Sequence, residues 1–174
     1  MEIIHHSGDI LRHYLYRTSK TRAYKLRRAL YGGIIPVTVL LFGLYQSWRE
    51  VDYFYLIIYA IISLLAFILL PRYLKNSYQR YYTYYINKTF GPLLDKPETI
   101  EITGEYITTK NAVSESKVLI TAIQFLTELK EHYIVSINDS ASLILPKNAE
   151  SAEIVKIIQQ RNNLTITDAT KWKW

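Results

Sequence analysis

Residues 29–48 read ALYGGIIPVTVLLFGLYQSW, and residues 53–71 read YFYLIIYAIISLLAFILLP. Neither run contains Asp, Glu, Lys, Arg or His. About 20 helical residues rising ~1.5 Å each cross ~30 Å of hydrocarbon, so each run is expected to span a membrane. Only Arg49, Glu50, Val51 and Asp52 separate them. Such a link permits a tight helical hairpin that returns the chain to the side it left.

Inside the hairpin, Gly32, Gly33 and Gly43 allow close backbone approach, and Pro36 removes a helical hydrogen bond. Ala60, Ser63 and Ala66 recur every third residue on the second run and supply the small face that those glycines need. Tyr31, Tyr45, Trp48, Tyr53 and Tyr55 lie at the ends, where an aromatic belt meets the membrane surface. With no ionisable group in either run, the hairpin is read as an anchor and not as an ion or substrate path.

Charge is segregated around this anchor. Residues 1–28 carry a balance of +5, residues 49–52 of −1, residues 72–90 of +4 and residues 91–174 of −2. Basic residues close to a span set topology, so both termini are expected to be cytoplasmic and the turn to face outward. The polar, basic start makes the first span an uncleaved anchor in this reading. Lys20, Arg22, Lys25, Arg27, Arg28, Arg72, Lys75 and Arg80 are the candidate contacts for anionic lipid headgroups. The sequence pI of about 9.3 is then a membrane-flank effect, and no nucleic-acid partner is expected from it.

Four segments follow: a cytoplasmic strand and amphipathic basic helix over 1–28, the hairpin over 29–71, a basic, tyrosine-rich juxtamembrane helix over 72–90, and a cytoplasmic domain over 91–174. In the first, residues 1–6 read as a strand, Ser7 as a helix N-cap and Asp9 as a first-turn acid. In the third, Leu74, Tyr78, Tyr81, Tyr82 and Tyr85 share a helical face. In the fourth, hairpins are expected around Thr103-Gly104-Glu105 and around Asn138-Asp139-Ser140-Ala141, with a strand at 116–120 and a strand or helical turn at 123–129. A helix follows Pro146, with Ser151 as its N-cap and Ile154, Val155, Ile157 and Ile158 as its apolar face. A last strand is expected at 164–167, before the interfacial ending Lys171-Trp172-Lys173-Trp174. The fold class is thus membrane α+β: a two-helix transmembrane hairpin and a small antiparallel β-sheet domain capped by a C-terminal helix.

Chemistry-bearing patterns are sparse. There is no cysteine, and His5, His6, His13 and His132 are the whole histidine set. The adjacent His5 and His6 point to opposite faces of a strand and make a poor metal pair. No phosphate loop, dinucleotide fingerprint or nucleophile elbow occurs. No catalytic residue, cofactor or metal is assigned, and the protein is expected not to be an enzyme.

Several short motifs resemble the YcxB-like family of small bacterial membrane proteins. They are Gly8-Asp9-Ile10-Leu11-Arg12-His13-Tyr14 ahead of the basic run, Ile102-Thr103-Gly104-Glu105-Tyr106-Ile107, Glu131-His132-Tyr133-Ile134-Val135, and the strand ending Leu143-Ile144-Leu145-Pro146-Lys147. Ile120-Thr121-Ala122-Ile123 stands where the family often has a Trp before an Ile. The resemblance implies a pleckstrin-homology-like domain at the bacterial inner (cytoplasmic) membrane and no particular activity. The expected function is a non-enzymatic, membrane-anchored module that presents this domain to a protein partner, in a regulatory or immunity role. Tyr78, Tyr81, Tyr82, Tyr85, Trp172 and Trp174 are its candidate partner surface. An anionic-headgroup sensor and an accessory subunit of an oligomeric transporter or channel are the alternatives, and homo-oligomerisation is compatible with each.

Overall fold

A computed structural model describes residues 1–138 and 141–174. Asp139 and Ser140, at the tip of the second expected hairpin, lie outside the described residues. The chain divides into two compact units, Met1–Tyr14 with Thr83–Lys173, and Leu15–Tyr82 with Trp174.

The second unit holds the apolar runs. Helix α1 (Ser7–Lys20) ends ahead of Thr21, whose hydroxyl caps α2 (Arg22–Ala29) by accepting from the Tyr24 N–H. The one amphipathic basic helix expected within residues 1–28 is thus divided in two by the Thr21 cap. A π-helical turn (Leu30–Ile34) leads without a break into α3 (Ile35–Glu50), and Pro36, which lacks an N–H to donate back along the helix, follows that turn directly. The link is two residues long: Val51 closes α3 at φ 57°, and the Asp52 carboxylate accepts from the Phe54 N–H to open α4 (Tyr53–Phe90). Helix α4 is 38 residues long and passes through Pro71, so the second apolar run and the tyrosine-rich segment form one uninterrupted helix.

The two arms pair antiparallel in an even register. A Cβ on Gly43 would collide with Tyr59, the Ser63 hydroxyl donates to the Pro36 carbonyl at 2.7 Å, and Gly32 faces the Pro71 ring. Farther out, the Tyr24 ring meets Tyr78 edge-on at 5.4 Å, and Thr18 and Tyr82 share a 2.6 Å hydroxyl hydrogen bond. The small face read from Ala60, Ser63 and Ala66 is the half-buried side of α4. The arms contain two stretches long and apolar enough to cross a membrane, and no residue of the most apolar window of the second is buried.

The first unit contains two four-stranded sheets. Strands β1 (Glu2–Ile4), β2 (Pro97–Thr103), β3 (Tyr106–Lys110) and β4 (Glu115–Leu119) form one, antiparallel throughout in that order. Gly104, at φ +60°, takes the left-handed position of the β2–β3 turn, which a residue with a Cβ adopts only with strain. Strands β5 (Phe125–Glu128), β6 (His132–Ser136), β7 (Ser142–Pro146) and β8 (Ile166–Asp168) form the other, in the order β7-β6-β5-β8. Here β8 runs parallel to β5, a departure from the all-antiparallel meander expected from the sequence. The helix α5 (Ala149–Asn162) between β7 and β8 supplies the crossover that a parallel pair requires.

Ile3, Ile100 and Ile107 from the first sheet, Leu126, Val135 and Leu145 from the second, and Ile154, Val155 and Ile158 from α5 make a single core. The cap of α5 lies three residues before its expected place. Asn148 accepts from the Ser151 N–H at 2.8 Å, while Ser151 is fully buried with its hydroxyl against the Met1 sulfur. Asn is as good an N-cap as Ser, and burial of Ser151 settles the choice.

Candidate functional site

The sequence points to a basic and aromatic collar where the apolar helices end. Pro71 lies 20 residues from the turn, and the remainder of α4 within this unit continues ~16 Å beyond it. Tyr78 falls ~10 Å beyond Pro71 along the helix.

Within the second unit, Lys20, Arg22, Lys25, Arg27, Arg28, Arg72 and Arg80 are exposed, and Lys75 is half-buried. Among the described residues, two of these cations donate hydrogen bonds inside the chain. Arg27 Nη1 donates to the Tyr78 hydroxyl at 2.9 Å, and Lys75 Nζ donates to the Trp174 carbonyl. Lys20 lies over the Tyr16 ring, 5.1 Å from its centroid.

The candidate partner tyrosines divide between two environments. Tyr78 and Tyr82 stack on each other at 6.3 Å, and Tyr78 also meets Trp174 edge-on. Trp174 in turn stacks on Tyr24 at 5.0 Å. This cluster includes Tyr24, which sequence reasoning missed because its partners lie about 50 and 150 positions away in the chain. Tyr81 departs from the packed face and is 62 % exposed, since the buried and half-buried positions follow an i, i+4 rhythm through Leu74, Tyr78, Tyr82 and Ile86. Tyr85 meets Tyr14 and Phe90 edge-on in the first unit. Trp172 is half-buried there, with its backbone N–H on the Ala169 carbonyl.

A second cluster, also missed from sequence, holds the N-terminal segment to the domain. His132 Nε2 lies 3.3 Å from Asp9, and Arg12 pairs with Glu131. His5 is 3.2 Å from Glu98, and His6 is 2.6 Å from Asp95. Burial pushes His132 below its ordinary value; the Asp9 carboxylate opposes that shift, and Arg12 and His5 add to it. On the far side of β6, Lys147 pairs with Glu128, whose hydrogen bond holds the ammonium above its ordinary value. The Thr170 backbone N–H, seconded by its hydroxyl, draws Asp168 below the usual carboxylate range. The pairs of His5, His6, Arg12 and His132 join segments distant in sequence. Among the described residues, no group of three or more His, Asp or Glu is placed to hold a metal ion.

Residues 102–160 match the sequence model of the YcxB-like protein family, a segment running from the end of β2 into α5. The resemblance read from the sequence is thereby shown over these residues, and it covers most of the two-sheet core. Comparisons with curated proteins and with solved structures find no match.

Proposed function

We propose that the paired arms insert in a bacterial inner membrane as an anchor, with the turn at Val51 outside, and that the YcxB-like domain acts in the cytoplasm as a non-enzymatic interaction module for a protein partner. One observation carries this reading. The most apolar part of α4 has no buried residue, yet the same helix continues as a basic, tyrosine-rich stalk into the unit that holds the domain. A core helix of a soluble protein would bury that surface, and lipid is the solvent that suits it. The charge balance on either side of the apolar runs supports the orientation. Two sheets around one core with α5 against them support a pleckstrin-homology-like architecture.

The test is site-specific photocrosslinking in cells. A crosslinker at Phe125, an exposed residue of β5, should give a discrete and reproducible protein adduct, while one at Trp48 by the turn should not. Lipid adducts alone at Phe125 would contradict the reading.

The exposed cations Arg22, Lys25, Arg28, Arg72 and Arg80 favour a second reading, in which anionic lipid is itself the ligand that the protein senses. Each basic residue near such a surface contributes about 1 kcal/mol. Changing Arg72 and Arg80 to Gln should then reduce the anionic lipid that co-purifies with the full chain, and unchanged retention would count against sensing.

A further inference from the structure

Strand β4 is the terminal strand of its sheet, bonded to β3 on one side, and Glu115, Ser116, Lys117 and Leu119 are all exposed. An open strand edge is a template for another strand, and proteins commonly blunt it with short strands, proline, bulges or charged side chains, unless those charges meet complementary ones. Here the edge reads Glu-Ser-Lys-Val-Leu, with charges of both signs. The β3–β4 register fixes which side each residue occupies. Ile107, which is in the core, lies opposite Val118, so Ser116 and Val118 share the inner face, and Glu115, Lys117 and Leu119 take the outer face with Tyr106, Thr108 and Lys110.

We propose that β4 pairs antiparallel with β4 of a second copy of this chain, in the one register that places Ser116 opposite Ser116. A two-fold contact of this kind is isologous, so each register is defined by the residue at its centre. Registers centred between residues oppose an inner-face residue to an outer-face one and turn one copy's core face to solvent. Among the rest, a centre at Glu115 opposes two carboxylates, and a centre at Lys117 opposes two ammonium groups. Both arrangements are destabilising on a strand pair.

A centre at Ser116 sets each Glu115 against the partner's Lys117. Within one chain these two side chains are already 3.4 Å apart, so the pairing completes a square of four alternating charges. The same register brings Val113, 75 % exposed in the β3–β4 loop, beside the partner's Leu119, which is 40 % exposed and neighbours Tyr106, 44 % exposed. Charge and apolar surface thus select the same alignment. A contact limited to one five-residue strand is small beside the ~1,200–2,000 Å² of stable complexes, so the dimer is weak and is best trapped covalently.

The chain has no cysteine, which makes trapping clean. In membranes containing the full chain, Ser116→Cys should form a disulfide-linked dimer on mild oxidation, because directly opposed Cα atoms lie ~4.5–5.5 Å apart, within disulfide range. Glu115→Cys and Lys117→Cys should each fail alone and should crosslink when differently tagged chains carrying one or the other are mixed. Adding Lys117→Glu to Ser116→Cys should abolish the dimer band, and adding Glu115→Lys as well should restore it, which separates lost pairing from lost folding. A Ser116→Cys band no stronger than that of Glu153→Cys, on the exposed side of α5, would overturn the proposal. So would a dominant Lys117→Cys homodimer, or a band indifferent to charge reversal.

Discussion

Replacing Gly43 by alanine adds one methyl group where the two apolar arms approach most closely. A Cβ there would overlap the Tyr59 Cβ and lie 2.9 Å from its Cγ and 3.2 Å from its Cδ2. Carbon atoms pack at ~3.5–4.0 Å, so α3 and α4 must part by roughly 1 Å at this level. A gap of that size forfeits roughly a quarter to a half of each dispersion contact around it, and overpacking of this kind costs ~1–3 kcal/mol. Between helices in lipid there is no hydrophobic driving force to offset the loss.

The colliding atom is the Cβ of Tyr59, which alanine retains and glycine lacks. A double-mutant cycle should therefore find little coupling between Gly43→Ala and Tyr59→Ala, and a favourable coupling of ~1–3 kcal/mol between Gly43→Ala and Tyr59→Gly. The assay is equilibrium unfolding in mixed micelles, followed by energy transfer between dyes on cysteines introduced at the exposed Arg28 and Arg72. A neutral Gly43→Ala, or rescue by Tyr59→Ala as complete as by Tyr59→Gly, would refute the close approach.

Three further perturbations test other joints. Val51 is a β-branched residue at φ 57°, so Val51→Gly should stabilise the hairpin in the same assay by roughly 0.5–1 kcal/mol once glycine's greater unfolded entropy is subtracted, and destabilisation would contradict the turn. Asn148→Ala should cost about 1 kcal/mol through the lost α5 cap, with Asn148→Asp retaining most of it, and a lower melting temperature of the full chain reads the difference. Burial lowers the His132 pKa, so the unfolded chain binds the extra proton: stability is complete above about pH 6.5 and falls as pH drops through that value. Melting temperature should accordingly decline from about pH 8 to about pH 5, and His132→Asn should flatten the slope, whereas a rise on acidification in the parent would reverse the sign.

What could be read from sequence was what local chemistry determines alone. Two uncharged runs of this length have few structural options, and Gly104 in its turn and the alternating strands around it each carry their own signal. The rest depends on partners remote in the chain. That α4 passes through Pro71 without a break is not a property of the proline itself, which by its local chemistry disfavours a helix interior. Asn148 and Ser151 are equally good caps locally, and only burial of Ser151 separates them. The parallel pairing of β8 follows from the α5 crossover and not from its own residues. The pairing of Asp9 with His132, like the stacking of Tyr24 on Trp174, joins ends of the sequence that no periodicity connects. Of the collar, composition gave the cations but not that Arg27 and Lys75 are committed within the chain.

The most direct test of the anchor is side-specific labelling of the cysteine-free chain. Glu50→Cys, at the end of α3, should react with a membrane-impermeant maleimide in intact cells, and Glu153→Cys, exposed on α5, should react only after lysis. The opposite pattern would invert the proposed orientation, and equal labelling of both in intact cells would contradict insertion of the hairpin.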